Sequence, residues 1–167
     1  MIFKQKNQIG FTIVELLIVI VVIGILAAIT IVSFNGVTAK AKFVGYQSDL
    51  KNTVKFLEMY KAQNGTYPIA ATWSFQGTDP SAAIRNQYIP GIVPSFTANL
   101  PISNDTNAQY CYLTNASGSE YKLIRYRANG IPGDEWKQVP DSMKDSLGQT
   151  AKDRYGYWSD GGAALGT

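Results

Sequence analysis

The first hydrophobic segment of the chain is long, uncharged and close to the start of the sequence. No charged residue lies between Glu15 and Lys40, a run of 24 residues that is almost wholly apolar. A helix needs about 20 apolar residues to cross the hydrocarbon core of a bilayer, and only a helix satisfies its own backbone there. The run is longer than the apolar region of a secretory signal. It therefore predicts a membrane-spanning helix that stays with the protein.

Beyond this segment the apolar residues fall on one side of a helix. They recur at three- and four-residue steps, the helical period. The members of this stripe are Phe43, Tyr46, Leu50, Val54, Leu57 and Tyr60. Asn64 and Gly65, with Pro68 just beyond, are typical of a helix end. The two patterns together predict one helix from Phe11 to about Ala62, apolar all round in its first half and amphipathic in its second.

The rest of the chain predicts a small antiparallel sheet. Residues 63–108 are rich in turn-forming residue types and predict loop, with one short helix from Asp79 to about Tyr88. Segments 109–114 and 120–127 are rich in aromatic and β-branched residues and flank a turn, which predicts a hairpin. Two smaller elements follow, a helical turn within 141–147 and a last strand at 155–158. The fold class is therefore α+β, a long helix packed on an antiparallel sheet.

The composition argues against several kinds of catalytic and binding chemistry. The chain has no His, which excludes imidazole as a base or metal ligand. Its single Cys, Cys111, cannot form an intramolecular disulfide and is expected to be a buried small apolar residue in a strand. No spacing of Ser or Lys indicates a nucleophile with its base, so no enzymatic activity is expected. The net charge of +3 is too small to favour nucleic acid as the main ligand.

Glu15 is the one acid at the boundary of the apolar run. A charged side chain at the centre of a bilayer costs about 2.5–3.5 kcal/mol on insertion scales, and a helix start returns about 0.3–1 kcal/mol. Two interpretations remain: the carboxylate lies at the headgroup level, or it awaits a cationic partner. Lys4 and Lys6 give a small bias towards a cytoplasmic N-terminus, with the polar region outside the cytoplasm.

Residues 1–40 resemble the signature of type IV prepilins. The segment Ile9-Gly10-Phe11-Thr12-Ile13-Val14-Glu15 combines a basic leader that ends in Gly, a following Phe and a Glu at the fifth position after the Gly, and the apolar run comes next. Segment 57–68 is similar to the helix end of type IV pilins and of type II secretion pseudopilins. The resemblance implies the pilin fold, with a leader at 1–10, a transmembrane and fibre-core helix at 11–39 and a globular head at 40–167.

The resemblance also implies a processing and assembly pathway. Prepilin peptidase would cut between Gly10 and Phe11, and Phe11 would then be N-methylated. Glu15 would pair with the Phe11 amine of an adjacent subunit, because a charge pair shielded from water costs far less free energy than a lone buried charge. The helix would leave the membrane at an inner-membrane assembly platform and become part of a helical homopolymer.

Small residues within the apolar run are candidates for close helix packing. Gly24, Ala27 and Ala28 would let neighbouring helices approach. Many bacterial pilins carry a proline about twenty residues into the mature chain, but segment 29–34 has none. Gly24 and Gly36 are then the candidate weak points of the helix.

Three functions are compatible with these features. The main hypothesis is the structural subunit of a type IV pilus-like surface filament, used for adhesion, twitching motility or DNA uptake. The alternative is a type II secretion pseudopilin. The third, from another class, is a monomeric membrane-anchored binding module that never polymerises. In the first case the chain is a single-pass membrane protein before assembly and part of an extracellular filament afterwards.

Two groups of polar residues in the head are further candidates for binding. Six acids lie in the C-terminal region: Asp134, Glu135, Asp141, Asp145, Asp153 and Asp160. Solvated surface charge is the favoured interpretation, with calcium as the alternative, since the spacing differs from that of helix–loop–helix calcium sites. Arg125, Arg127 and Arg154 lie among many aromatic residues, which favours core and subunit interface over contacts with sugars, cells or single-stranded DNA.

Overall fold

The computed structural model describes residues 10–77, 86–148 and 150–166. The predicted leader up to Ile9 and the predicted short helix from Asp79 up to residue 85 lie outside the described residues. The chain divides into two compact units between Thr38 and Ala39. Each unit is described by itself below, and one helix contributes residues to both.

The predicted long helix is confirmed. Helix α1 spans Ile13–Asn64, 52 residues, and continues through Gly24 and Gly36 without interruption. It ends where the sequence predicts an end, because Gly65 has a φ of 80° and its N–H donates to the Lys61 carbonyl at 2.8 Å. That left-handed conformation is open to glycine at little cost, so Gly65 closes the last turn.

Four antiparallel strands form one sheet in the second unit. They are β1 at Ser74–Phe75, β2 at Ala108–Thr114, β3 at Tyr121–Arg127 and β4 at Arg154–Trp158, in the order β1-β2-β3-β4. The predicted hairpin of β2 and β3 and the predicted last strand are confirmed. The prediction of loop throughout 63–108 is wrong at β1, a two-residue strand that is too short to leave a periodic signal.

One face of the sheet packs against the second half of α1. Tyr110, Arg125 and Tyr155 lie in one cross-strand row on this face, and Tyr112 and Leu123 lie in the next. All members of the predicted helix stripe belong to this core or pack against it. The core is rich in aromatic residues, and three of its tyrosine hydroxyls have partners: Tyr110 donates to Asp49 at 2.7 Å, Tyr112 to the Pro68 carbonyl at 2.8 Å and Tyr155 to Glu135 at 2.9 Å.

The connection between β3 and β4 and the C-terminal segment contain only short helical turns among the described residues. Between β3 and β4 lie a single helical turn, α2 at Gly133–Trp136, and two 3-10 turns at Asp141–Met143 and Ser146–Gly148. The two 3-10 turns confirm the predicted helical turn, whereas α2 falls in a stretch predicted to be irregular. A third 3-10 turn at Gly162–Ala164 precedes the C-terminal segment.

Candidate functional site

The predicted cleavage position lies at the beginning of the described chain. Gly10 and Phe11 are exposed, Phe11 to 89%. Apart from the chain neighbours of Gly10, no atom of the described residues lies within 4 Å of a Cβ atom placed there. The described part of the chain therefore has no steric need for glycine at position 10. If a small residue is required there, the requirement comes from a partner that binds this segment.

Glu15 caps the first turn of α1 together with Thr12. The Glu15 carboxylate accepts hydrogen bonds from the Thr12 N–H at 2.8 Å and from the Thr12 hydroxyl at 2.7 Å. In return, the Glu15 N–H donates to Thr12 Oγ1 at 3.2 Å. This is a reciprocal capping box, which satisfies otherwise unpaired N–H groups at a helix start. The sequence interpretation missed Thr12, although the Thr-x-x-Glu spacing is a signature of a capping box.

The capping box leaves part of the Glu15 carboxylate available. Both hydrogen bonds from Thr12 end on Oε2, and Glu15 belongs to none of the ion pairs among the described residues. An ionised carboxylate has about four acceptor positions. The arrangement can therefore hold Glu15 in place at the helix start and still accept a cation from outside the chain.

The first half of α1 presents apolar side chains that the described residues leave exposed. Leu16, Ile20 and Ile23 are exposed to 63%, 59% and 59%. By length and composition this is a helix that could cross a membrane. Two of its polar side chains are satisfied locally, since Thr30 Oγ1 donates to the Leu26 carbonyl at 2.7 Å and Thr38 Oγ1 to the Phe34 carbonyl at 2.9 Å. The described part of the chain therefore does not supply the apolar environment that this segment requires.

The predicted packing residues Gly24, Ala27 and Ala28 are exposed on this half of the helix. Gly24 is one helical turn from both alanines, so the three residues share a face. A Cβ atom placed on Gly24 meets no atom within 4 Å outside its own helix. Glycine at this position is not demanded by the chain itself, and the packing role stays a prediction.

Arg125 lies at the centre of a buried charge cluster in the second unit. Its guanidinium donates to Glu135 at 2.9 Å and to Asp105 at 3.0 Å, and its side chain is fully buried. It also stacks 4.0 Å from the ring centroid of Tyr46 on α1. Burial lowers the pKa of Arg125, but nearby Tyr155 and the carboxylates raise that pKa by more. The net shift of the pKa is upward, so the group stays charged. Arg125 links sheet, loop and helix and cannot contact an external ligand.

The interpretation of the C-terminal acids as solvated surface charge is wrong for three of them. Glu135, Asp145 and Asp153 are buried, and each pairs with a cation from the sheet: Arg125, Lys122 and Arg154 respectively. Buried charges are tolerated when they are paired in this way. The sequence could not show the first two pairs, because their partners are 10 and 23 residues apart. Asp153 and Arg154 are neighbours in the chain, but only the fold shows that Asp153 is buried.

Lys122 supplies the positive charge that neutralises the buried Asp145 carboxylate. Its ammonium lies 3.1 Å from Asp145 Oδ2 and donates to the Leu165 carbonyl at 2.9 Å, with the lysine fully buried. Within residues 10–77, 86–148 and 150–166 there is no cluster of three acidic or Cys side chains that could hold a metal ion. The calcium alternative stays a prediction that these contacts do not support.

Cys111 is a free, buried thiol on β2, as the sequence indicated. Its exposure is 1%, and burial raises the pKa of the thiol well above its usual value. A thiol held protonated and away from solvent is a poor nucleophile. Cys111 therefore behaves as a small apolar side chain in the isolated chain.

Comparisons with known proteins agree on the N-terminal segment and extend into the head. The model of the family described as "Prokaryotic N-terminal methylation motif" matches residues 5–31. The type II secretion system core protein G of Dickeya chrysanthemi is 27% identical over 160 residues, 96% of this chain and 92% of that protein. The same protein of Klebsiella michiganensis is 27% identical over 135 residues, 78% of this chain and 90% of that protein.

A pilus protein is similar over a large part of the chain as well. The type IV wide pilus major component PilA4 of Thermus thermophilus is 32% identical over 114 residues, 68% of this chain and 78% of that protein. No solved structure matches the chain. The methylation motif at the N-terminus, the long helix on a four-stranded antiparallel sheet and these relatives agree, and the chain therefore belongs to the type IV pilin-like family, as a precursor.

Proposed function

We propose that the chain is the structural subunit of a type IV pilus-like surface filament. The observation that carries the proposal is the uncovered apolar half of α1, with a capped Glu15 at its start. In the membrane, lipid covers these side chains. In a filament, the same side chains of neighbouring copies cover one another, and no enzymatic activity is involved.

The driving force for the exchange of lipid for sister helices is packing. Lipid tails are as apolar as Leu and Ile, so the hydrophobic effect alone does not favour the filament. Close van der Waals contact does, and it is best where small residues let backbones approach. Gly24, Ala27 and Ala28 share a face that would serve this purpose.

Glu15 has a specific role in this proposal. In the single chain its carboxylate is held by Thr12 and forms no ion pair with any of the described residues. After cleavage, Phe11 would carry a new amino group, and the amine of one subunit would pair with Glu15 of the next. The capping box keeps the carboxylate in a defined place, which reduces the entropy cost of pairing.

Cleavage would fall between Gly10 and Phe11, and N-methylation on Phe11. The surroundings of Gly10 support access by a peptidase with a narrow cleft, since no described residue beyond its chain neighbours crowds this position. Prepilin peptidase, the inner-membrane assembly platform and further copies of the chain are the proposed partners. The head would lie outside the cytoplasm before assembly and on the filament surface afterwards.

A second candidate function is that of a type II secretion pseudopilin. The observation in its favour is that the type II core proteins of Dickeya and Klebsiella match the head as well as the helix, over 92% and 90% of their length. Both functions need the same processing and the same helix packing. They differ in whether a filament extends from the cell surface.

The experiment that tests the proposal has two stages. Mass spectrometry of the N-terminal peptide from the native protein should give a chain that starts at a methylated Phe11. Gly10→Arg should leave the uncleaved precursor in the membrane, and Gly10→Ala, a small residue, should be processed normally. A normal mature chain from the Gly10→Arg variant would contradict the cleavage site.

The second stage addresses assembly. Glu15→Val should be cleaved normally and yield few or no filaments in electron microscopy with antibodies against the head, because the Phe11 amine then lacks its acid. Glu15→Asp keeps the charge and should retain part of the yield. Normal function of Glu15→Val with no filaments in the wild type would favour the monomeric binding module, and a secretion defect without surface filaments would favour the pseudopilin.

A further inference from the structure

A cleft opens on the sheet face that is turned away from α1. Cys111 and Ile124, neighbours across β2 and β3, form its floor and are 1% and 2% exposed. Trp73, Phe75, Tyr126 and Arg154 form its walls, and its volume is about 180 Å³. That volume corresponds to about six water molecules. The cleft therefore has room for one substituted six-membered ring and not for an extended chain.

The aromatic walls present flat apolar faces that are in part solvent-accessible. The ring centroids of Trp73 and Phe75 lie 6.5 Å apart with 34° between the ring planes, and Phe75 is 48% exposed. Trp73 is held from behind by the C-terminal segment, since a Cβ atom on Gly166 would lie 2.5 Å from the indole ring. The wall is therefore supported before any ligand arrives.

Arg154 supplies the polar edge, and Asp153, which does not itself line the cleft, holds it in position. The guanidinium donates from Nε to Asp153 Oδ1 at 2.9 Å and from Nη2 to Oδ2 at 3.2 Å, and it lies 5.3 Å from the ring centroid of Tyr126. None of the hydrogen bonds among the described residues uses Nη1. Arg154 is thus fixed in position, nearly neutralised by its partner and able to donate to a ligand.

The structure separates the three arginines that the sequence placed among aromatic residues. Arg125 is fully buried, and Arg127 is committed to Asp105 at 3.1 Å. Only Arg154 of the three lines this cleft. Of the three arginines, Arg154 is therefore the one that can contact a ligand in this cleft.

We propose that this cleft binds a single neutral pyranose ring of a carbohydrate. The C–H groups on one face of a pyranose carry slight positive charge and suit the negative faces of aromatic rings. Sugar hydroxyls both donate and accept, so one of them can take a hydrogen bond from Arg154, which lines the cleft. An apolar floor with a few fixed polar groups is the usual composition of a small-ligand site.

The charge of the site favours a neutral sugar over nucleic acid. Binding of single strands needs a positively charged groove that follows several phosphates. Among the described residues, Arg154 is the one cation that lines the cleft, and it is already paired with Asp153. A neutral ring requires no additional cation, and its hydroxyls can accept from Arg154.

The test uses the full chain in lipid nanodiscs, so that no detergent with a sugar headgroup is present. Saturation-transfer difference NMR is recorded with the methyl pyranosides of glucose, galactose, mannose and N-acetylglucosamine. At least one should receive saturation at its ring C–H protons, with a dissociation constant on the order of millimolar for so small a ligand. Trp73→Ala and Phe75→Ala should each weaken that binding about tenfold or more.

Ile69→Ala is the matched control, because Ile69 is an exposed apolar residue of the same unit that does not line the cleft. It should bind the pyranoside as the wild type does. Phe75→Ala guards against a folding defect in Trp73→Ala, since Phe75 is half-exposed. Two results would overturn the proposal: saturation transfer that none of the cleft variants reduces, or binding of a single-stranded oligonucleotide that depends on Trp73 and is lost at high salt while no pyranoside binds.

Discussion

The unit up to Thr38 and the unit from Ala39 treat apolar and charged side chains in opposite ways. In the first, large apolar residues such as Ile20 and Leu26 are 59% and 58% exposed, and one acid is held at the helix start. In the second, Arg125, Lys122 and Asp145 are at most 1% exposed. The comparison teaches that the second unit pairs the charges that it buries, whereas the first presents apolar side chains that the described residues do not cover.

The largest expected effect breaks the buried charge cluster of the second unit. Arg125→Met leaves the Glu135 and Asp105 carboxylates without their shared cation, and removal of one partner of a buried ion pair typically costs about 3–5 kcal/mol. Urea denaturation followed by tryptophan fluorescence measures the loss. Arg127→Met, at a half-buried arginine, is the control and should cost far less. Equal losses in the two variants would mean that Arg125 has no special role.

The next effect tests whether the first unit depends on lipid. Ile20→Lys places a charge within the uncharged run and should reduce membrane retention, with a cost of about 2.5–3.5 kcal/mol on insertion scales. Ile69→Lys is the matched control, because Ile69 is 55% exposed, close to the 59% of Ile20, but belongs to the second unit. Resistance to extraction at alkaline pH measures retention. If Ile20→Lys and Ile69→Lys resist alkaline extraction equally, the exposure of the apolar run does not reflect a membrane environment.

A smaller effect is expected at the capped helix start. Thr12→Val keeps the shape of the side chain and removes the hydroxyl that bonds with Glu15. Loss of an N-cap side chain costs about 0.5–2 kcal/mol. Amide hydrogen exchange in the first turn of α1 should become faster, while exchange in β2 and β3 should not change. Thr12→Ser, which retains the hydroxyl, should resemble the wild type.

The smallest effect concerns the dependence of stability on pH. Partial burial raises the pKa of Asp105, but the Asn107 N–H and the nearby Arg127 and Arg125 lower it more, so the net shift is downward. A carboxyl with a lowered pKa in the folded state stabilises the fold above its pKa in the unfolded chain, about 3.9, and this contribution is lost as the pH falls through the folded-state value.

Asp105→Asn should therefore be less stable than the wild type at pH 7 and lose less stability between pH 5 and pH 2. Thermal unfolding at a series of pH values provides the measurement. Asp134→Asn is a suitable comparison, since Asp134 forms only an exposed pair with Lys137. If Asp105→Asn loses as much stability as the wild type between pH 5 and pH 2, other carboxylates are responsible for the acid sensitivity.

Local sequence patterns predicted much of the fold. The helix stripe from Phe43 to Tyr60, the end of α1 at Asn64 and the β2–β3 hairpin follow from periodicity and turn residues that act within a few positions. The pattern missed β1, because two residues cannot show a period. It also missed α2, whose four residues are held by contacts of the folded chain.

The candidate sites divide in the same way. Gly10, Phe11 and Glu15 could be named from the sequence because their pattern is contiguous, and their roles stay predictions until the variants are made. The cleft of Trp73, Cys111 and Arg154 could not be foreseen, since its walls and floor together involve all four strands. The burial of Glu135 and Asp145, which the sequence interpretation placed at the surface, could not be foreseen either.

The sequence by itself determined that this chain has a long uncharged helix with an acid at its start, because the requirement of lipid for an apolar, internally hydrogen-bonded segment acts on consecutive residues. Only the tertiary structure decided which charges the head buries and which aromatic rings it leaves open. Burial of a charge depends on a partner supplied from another element, and such a partner is fixed by strand register and loop path.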